Sequence, residues 1–466
     1  MNHKLVGARL SVMMFLQFFV WGAWFVTVGN FMSKQGMTSA IHWAYTVGPI
    51  AGIVSPFFLG MVADRFFAAE RVLSVLHLAG GAFLLCVPLV VREGGSSLPL
   101  ILVLLLHCLC YYPTLGLVNT LSFHNLANQE KQFPLVRVFG TIGWIVANWV
   151  VSKGFDQGDQ RPVQFYVGGI SSIVLGLYCL TLPHTPPAAA GKRASVSEVL
   201  GLQSLVLFRS PSFVVFIISS FLVVIPLSAY YAYAPVFLTA AGFHQQAFVM
   251  SFGQVSEIFF MLVMPMFFAR LGVKWMLLVG MLAWVTRYGL FSAAAADAVH
   301  WMIFLGILLH GICYDFFFVT GQIYVDKKAP KEIRGQAQGF LVLVTLGLGM
   351  LVGAQVAGRI FNRNASPEAA SVVAQAEALR ADYKDLEKRV DDGGTVTEAE
   401  WAAADVKWRQ SIPILMKAYD WRTIWLIPCV GAGVIMLLFA LLFRDDGVKE
   451  VSEEDVAKGA AVEELP

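Results

Sequence analysis

Apolar residues in this chain fall into long blocks separated by short polar segments, and this pattern predicts helices that cross a membrane. A helix needs about 20 residues to cross the roughly 30 Å hydrocarbon core of a bilayer. The blocks predict twelve such helices, named spans one to twelve in chain order. They cover residues 9–31, 41–63, 72–91, 99–122, 137–155 and 164–183, then 213–240, 246–269, 274–296, 300–325, 336–360 and 421–443.

The composition agrees with this pattern and excludes a soluble domain. Hydrophobic residues make up 57% of the 466 residues and charged residues only 14%, and the mean hydropathy is +0.67. Soluble domains devote about a quarter of their residues to charge. The first apolar block is too long for the core of a signal peptide and has no small-x-small cleavage site, so we expect it to be span one.

The distribution of Lys and Arg predicts the orientation. Loops on the side of the N-terminus carry 18 of these residues, whereas the short loops opposite carry only Lys34, Arg92, Lys153 and Arg161. Positive residues accumulate on the cytoplasmic side of membrane proteins. We therefore expect a multi-pass protein of the bacterial cytoplasmic (inner) membrane, surrounded by lipid, with both termini in the cytoplasm.

The spans divide six and six around a polar stretch. This predicts an N-terminal bundle (residues 1–183), a cytoplasmic linker with an amphipathic helix (184–212), a C-terminal bundle (213–443) and an acidic, disordered cytoplasmic tail (444–466). In the linker helix, Leu200, Leu202, Leu205 and Leu207 would lie against the membrane. Two linked six-helix halves form a transporter architecture with a midplane site between the halves. We expect the chain to function as a monomer.

A motif after span two supports this architecture. The loop reads Gly60-Met-Val-Ala-Asp64-Arg65, which resembles the signature loop of the major facilitator superfamily. Its Gly allows close helix packing, and its charged pair can hold neighbouring helix ends together in one access state. The motif predicts an all-α membrane protein with two pseudo-symmetric six-helix bundles, and a gating role for Gly60, Asp64 and Arg65.

The segment between spans eleven and twelve is unusually long. Residues 362–420 form a predicted extracytoplasmic insert, much longer than most helix connections. Residues 369–390 predict a charged helix, 391–394 a turn, and Thr397 with Glu400 a capping box that begins a second helix. We interpret the insert as a solvated helical hairpin over the outer mouth rather than as a ligand site.

Ten polar or aromatic residues within the spans are candidates for the site, because polar groups at membrane depth generally face a cavity or a partner. Most recur at helical spacing, which places each set on one helix face. Arg287 and His107 are interpreted instead as groups that satisfy contacts between helices. The candidates are Arg137, Thr141 and Trp144 on span five, Ser228 and Tyr231 on span seven, Gln254 and Glu257 on span eight, and His310, Tyr314 and Asp315 on span ten.

The chemistry of these residues indicates a polar, flat-faced and uncharged solute, with sugars still open. Glu257 and Asp315 can gain or lose a proton as the cavity alternates between wet and closed, because burial disfavours the charged form. Gln254 can donate and accept hydrogen bonds, as a base edge or a ribose diol requires. Nothing indicates a metal, a cofactor, nucleic acid or catalysis, and the six cysteines fall inside apolar spans as inert core thiols.

The chain resembles the bacterial nucleoside:proton symporters, the nucleoside permeases of the major facilitator superfamily, from span one to span twelve outside the insert and tail. The resemblance implies import of nucleosides driven by the proton gradient, through alternating access to a central site. It implies nucleoside contacts from Arg137, Thr141, Gln254 and Glu257, and a shared role in proton coupling for Glu257 and Asp315. The residues that carry it are Phe19-Val-Trp-Gly-Ala-Trp24, Tyr112-Pro-Thr-Leu-Gly-Leu-Val-Asn-Thr120, Arg137-x-x-Gly-Thr-Ile-Gly143, Ser251-x-x-Gln-x-Ser-Glu257, Tyr314-Asp-Phe-Phe317 and Asp420-Trp-Arg-Thr-x-Trp425.

The sequence also departs from that family. Ser228 and Tyr231 stand where the family has a Gln and an Asn, Trp144 ends the stripe of span five, and His310 replaces a Tyr. Because unpaired polar groups on a substrate change selectivity strongly, the preferred nucleoside is left open. A proton symporter for another polar solute such as a sugar is the first alternative, and a membrane sensor or enzyme is a remote one.

Overall fold

The computed structural model describes residues 3–58, 66–155, 158–187 and 202–444. Nearly all of these residues are helical, as predicted. The predicted gating residues Gly60, Asp64 and Arg65, the linker residues 188–201 and the acidic tail from residue 445 lie outside the described residues. Spans one to six correspond to the helices His3–Phe25 continued by Val28–Lys34, Val47–Phe58, Ala69–Val90, Leu98–Asn125, Gln129–Lys153 and Val163–Cys179.

The second set of helices contains one break and two widened segments. Spans seven to twelve correspond to Pro211–Ala240, Gln246–Ala294 (spans eight and nine), His300–Lys328, Arg334–Arg363 and Trp421–Leu442. Span ten contains a π-helical segment at Asp315–Val319, and span eleven contains another at Leu343–Gly349. A π segment inside an α-helix often occurs at a functional position.

Spans eight and nine form one 49-residue helical unit that is broken at Gly272. At about 1.5 Å per residue the unit would extend roughly 74 Å, more than twice the hydrocarbon thickness. Gly272 has φ 66° and ψ −178°, a conformation that glycine adopts without steric cost. Nine described helices are long and apolar enough to cross a membrane. With the double unit and the shorter helices of spans two and six, the described chain is consistent with twelve spans.

Helices pack mainly within their own set of six. Span one packs against spans five and six, and span three packs against spans four and six. In the second set, span seven packs against spans eleven and twelve, and the double unit against spans ten and twelve. Small residues permit the close approach, since a Cβ atom on Gly22 of span one would lie 2.9 Å from the carbonyl oxygen of Trp144 on span five.

Among the described residues, hydrogen bonds between the two sets of six cluster at the end of the bundle that carries the insert, which we call the insert side. They join the outer parts of spans one, two and five to those of spans seven, eight and eleven, which closes the bundle on this side. The bonds run from Trp149 Nε1 to Ser251 Oγ (2.8 Å), from the Ala247 amide to Asp159 Oδ2 (3.2 Å), from Gln355 Nε2 to Thr46 Oγ1 (2.8 Å) and from Thr239 Oγ1 to Asn30 Oδ1 (3.2 Å).

The structure confirms the helical hairpin predicted for the insert. Its helices are Ala369–Asp391 and Glu398–Met416, and Thr397 and Glu400 form the predicted capping box. The hairpin is less free of the bundle than expected. Lys34 of span one forms an ion pair with Glu377 (2.8 Å), and Arg380 donates to the Thr239 carbonyl of span seven (3.0 Å). The insert therefore contacts both sets of six.

The linker differs from its prediction. Its described end, Leu202–Arg209, is a 3₁₀ helix rather than part of an amphipathic α-helix. Leu207 is fully buried and Leu205 is exposed, while Leu200 lies outside the described residues. The ring of Phe208 packs against Phe213 and Phe340. Contact with spans seven and eleven therefore determines the local conformation here, in addition to any contact with lipid.

Candidate functional site

Span five contributes a stripe of half-buried side chains. Asn128 caps its helix, with the side-chain oxygen accepting the Lys131 amide, and the helical turn then places Arg137, Thr141 and Trp144 on one face. The guanidinium of Arg137 lies 4.2 Å from the ring centre of Phe18 on span one. The contact lets an aromatic face stabilise the cation where water is scarce.

Trp144 belongs to an aromatic wall formed by the first set of helices. Its ring meets Trp21 edge-on, with 5.4 Å between ring centres, and Phe25 at 5.9 Å. The buried Nε1 of Trp144 has no hydrogen-bond partner among the described residues. Tyr112 completes the wall beside Trp21, at 5.8 Å. The wall offers flat apolar faces together with an unused donor.

Span eight presents Gln254 and Glu257 on one face, opposite the stripe of span five. Both are half-buried, and the Glu257 side chain is 14% exposed. Glu257 lies near enough to Arg137 for their charges to interact across the two sets of six. The structure thus brings together the two helices that the sequence singled out separately.

Span ten places His310, Tyr314 and Asp315 beside this face. Nε2 of His310 is 4.0 Å from Oε2 of Glu257, which is longer than a hydrogen bond. Tyr314 is half-buried, with its ring 5.9 Å from that of His310. Asp315 is fully buried, and neither carboxyl oxygen has a hydrogen-bond partner among the described residues. Asp315 lies near enough to Glu257 for the two carboxylates to repel each other if both are ionised.

The two candidates on span seven lie in different surroundings. Tyr231 is half-buried, and its ring lies 5.7 Å from Phe25 and 6.2 Å from His310, so it bridges the aromatic wall and span ten. The hydroxyl of Ser228 is fully buried and bonds to the Val224 carbonyl (3.1 Å) in its own helix. Ser228 packs against span eleven, so the structure does not bring it together with the other candidates.

Arg287 of span nine is a member of this group that the sequence analysis assigned only to contacts between helices. It makes such a contact, since Nε donates to the Gly306 carbonyl (3.0 Å). Its Nη2 also lies 3.2 Å from Nδ1 of His310, and the other ring nitrogen of His310 faces Glu257. A charged residue in the middle of a span indicates a functional candidate, but periodicity does not show which residue of another helix Arg287 contacts.

A separate cleft lies on the insert side, with about 840 Å³ of empty space. Its lining comes from span five, the loop after span seven and the insert, and includes Asp159, His244 and Trp408. None of the ten candidates lines it. The candidates on spans five, eight and ten instead form a group between the two sets of six, on the far side of the closure.

This central group has a definite chemical capacity. It combines two carboxyl groups, an imidazole, an amide and a guanidinium with several aromatic rings. Such a group can hydrogen-bond a polar solute in several directions while the rings cover flat surfaces of the solute. Its carboxyl groups can take up and release protons as their surroundings become dry or wet.

Comparison with known proteins gives consistent matches. The model of the family described as Nucleoside H+ symporter matches residues 4–375. The chain is 35% identical over 462 residues to the putative nucleoside transporter YegT of Escherichia coli (strain K12), covering 97% of each chain. It is 33% identical over 380 residues to the nucleoside permease NupG of the same organism, covering 77% of this chain and 88% of that one.

A solved structure matches as well. The crystal structure of the nucleoside transporter NupG superimposes with a TM-score of 0.75 at 28% identity, covering 95% of this chain and all of that one. The similarity thus includes both sets of six helices.

Proposed function

Since the chain belongs to the nucleoside H+ symporter family of the major facilitator superfamily, we propose that Glu257 and Asp315 carry the coupled proton at the central site. The protein is a transporter, not an enzyme, and imports nucleosides together with protons across the membrane. The proton and the nucleoside would then meet at one group of side chains, between the two sets of six helices.

The observation that carries the proposal is the state of the two carboxyl groups. Asp315 is fully buried and its carboxyl oxygens have no bonded partner among the described residues, and Glu257 is largely buried with its Oε2 4.0 Å from Nε2 of His310. Buried carboxyl groups without a counter-ion are costly and persist where they have a function. A carboxyl group that resists ionisation when dry and ionises when wet will bind a proton on one side and release it on the other.

The nucleoside is held by groups from both halves. Arg137 and Thr141 approach from span five and Gln254 from span eight, so hydrogen bonds to one guest would join the two sets of helices. Trp144 and Tyr231 supply stacking faces, each worth about 1–3 kcal/mol per base in comparable sites. His310 and Tyr314 complete the polar wall on span ten. Ser228 has the least support, because its hydroxyl is bonded to its own helix.

Topology and assembly rest on the same features. With 18 positive residues on the side of the termini against four in the short loops opposite, the long insert set aside, we propose that both termini lie in the cytoplasm and that the insert faces outward. Both six-helix bundles of the proposed carrier belong to the same chain, so we propose a monomer as the working unit. The two six-helix bundles would move against each other, and Gly60, Asp64 and Arg65 would lie at the gate on the cytoplasmic side.

Glu257→Gln in proteoliposomes tests the coupling. One pH unit corresponds to 1.36 kcal/mol, so one coupled proton supports about tenfold accumulation of a neutral nucleoside. The variant should lose this accumulation but keep counterflow, the exchange of labelled for unlabelled uridine, which needs no net proton movement. Glu93→Gln, which alters an exposed carboxyl group in a loop, is the matched control. Accumulation at the wild-type ratio in Glu257→Gln would refute the assignment.

A competition assay addresses the solute. Unlabelled uridine or adenosine should reduce uptake of the labelled substrate, whereas a hexose in the same excess should not. Inhibition by the hexose alone would favour a sugar symporter. Binding calorimetry with a nucleoside panel on the purified protein then ranks the substrates.

A further inference from the structure

Arg287 lies in an unusual environment for a permanent cation. It is fully buried within span nine, and no carboxyl group among the described residues forms an ion pair with it. Its neighbours are the Gly306 carbonyl, the His310 ring and the face of Tyr230, whose ring centre is 4.2 Å from the guanidinium carbon. A buried charge is costly, so an arginine retained here points to a use beyond joining two helices.

The hydrogen bond from Arg287 determines where the proton of His310 lies. A guanidinium has only donors, so Nδ1 of His310 must accept the bond from Nη2 (3.2 Å). A neutral imidazole that accepts at Nδ1 carries its proton on Nε2. Nε2 is the atom that faces Oε2 of Glu257. Arg287 therefore turns an N–H donor toward Glu257.

Packing fixes the ring in this orientation. The ring of Tyr230 is stacked on that of His310, with 5.5 Å between centres and 17° between planes. On span eight, Gly253 lies so close that a Cβ atom there would be 3.0 Å from Cβ of His310. Tyr231 and Tyr314 are the other titratable groups around the ring. The ring has little freedom to exchange its two nitrogens.

We propose that Arg287 is a positioning residue that holds His310 as the Nε2–H tautomer, so that His310 and Glu257 present a donor and an acceptor side by side to the nucleoside. This deepens the proposed function and rests on the role given there to Glu257. The 4.0 Å between Nε2 and Oε2 is too long for a hydrogen bond, so the donor and the acceptor are not paired with each other. A guest with a donor next to an acceptor, such as a base edge or a ribose diol, would use both.

The tautomer can be measured directly by NMR of protein labelled with ¹⁵N-histidine. His310→Asn identifies the signals of this ring among the nine histidines. In the wild type, Nε2 should be protonated and Nδ1 should not. In Arg287→Met the signals should shift toward Nδ1–H or a mixture, and Arg287→Lys, which keeps a cationic donor, should restore the wild-type pattern. Nδ1–H in the wild type would overturn the proposal even if no variant folded.

Transport provides the second readout. Arg287→Met should raise the Kd for uridine by about tenfold, as expected when one hydrogen bond to the substrate is lost. It should spare the accumulation ratio, because Glu257 remains. Arg287→Lys should recover most of the affinity, and Arg359→Met, which removes an exposed arginine of span eleven, should change nothing. An unchanged Kd and an unchanged tautomer in Arg287→Met would refute this proposal. The coupling assay on Glu257→Gln tests the proposed function alone.

Discussion

Span three in the first set of six and span ten in the second each bury a histidine, but the two histidines have different partners. His77 of span three is bonded at both ring nitrogens, to Gln17 (2.8 Å) and Ser172 (3.3 Å), and both partners are neutral. His310 of span ten has a cation at one nitrogen and a 4.0 Å gap to a carboxyl group at the other. The first network is closed, and the second is open.

The difference shows how a buried polar group with a structural role can be distinguished from one that belongs to a transport site. Both histidines are buried, so burial alone does not distinguish them. A buried polar group without a partner costs about 1–3 kcal/mol, so most buried polar groups are paired. Closed bonding at His77 therefore indicates a structural role. The free carboxyl oxygens of Asp315 and the gap at Glu257 indicate a site.

The strongest test of the comparison is Asp315→Asn in the open network. Because the carboxyl oxygens have no bonded partner among the described residues, the amide should be accommodated with little loss of stability. The variant should lose the roughly tenfold accumulation that a one-unit pH gradient supports. Uptake with an imposed gradient measures this, with the exposed Asp297→Asn as control. Unaltered accumulation and pH dependence would remove Asp315 from the mechanism.

His77→Leu tests the closed network. The variant removes the partner of Gln17 Oε1, whereas Ser172 keeps its bond to the backbone carbonyl of residue 77. The free energy of unfolding should therefore fall by about 1–3 kcal/mol. The accumulation ratio of the folded fraction should remain that of the wild type. Thermal unfolding in detergent and uptake by the same preparation separate the effects. Loss of coupling at unchanged stability would break the comparison.

A smaller effect is expected at Asp159, which joins the two sets of six on the insert side. Burial raises the pKa of Asp159 to about 6, although bonds from Ser152 and the Ala247 amide oppose this. A raised pKa means that the group favours closure most at low pH and that this support is lost as the pH rises through about 6. Opening on the insert side should therefore increase as the pH rises from about 4 to about 6 and level off above that, and Asp159→Asn should flatten that dependence.

Labelling measures this opening. A cysteine at Thr141, in a chain without its native cysteines, should react faster with an impermeant reagent added on the insert side as the pH rises. If Asp159→Asn changes nucleoside binding but leaves labelling unchanged, the 4.0 Å separation between His310 Nε2 and Glu257 Oε2 does not depend on closure of the insert side.

The smallest effect is expected in the insert, at Glu377. Burial alone would raise its pKa, but Lys384 and Lys34 outweigh burial and lower the pKa to about 2. Its contribution to stability is thus complete above about pH 4.5 and disappears only as the pH falls toward 2. Glu377→Gln should lower stability by about 1 kcal/mol or less, as for a partly exposed ion pair, and leave the pH profile of uptake unchanged between pH 5 and 8.

The sequence predicted the elements well because their signals are local. It separated spans eight and nine at residues 269–274, and the break is at Gly272. It began the first helix of the insert at Ala369 and identified the capping box of the second. For the linker it predicted an amphipathic α-helix, but contacts of Phe208 with other helices override that periodicity.

The sequence could not predict contacts between helices. Periodicity shows that Arg137 and Thr141 share a face, but not that this face meets Glu257 of another helix. The same limit hid the bond between Arg287 and His310, whose residues lie on different spans. The contacts of the insert with Lys34 and Thr239 depend on tertiary structure in the same way.

The π segment at Asp315–Val319 gives span ten one mechanical option that a regular helix lacks. A π turn contains one residue more than an α turn, so conversion to α geometry would rotate everything beyond it by about 100°. Spin labels on either side of Val319 would detect this rotation as a change in the distance between the two labels. One half of span ten could then rotate to release the nucleoside while the half that carries Asp315 keeps its position.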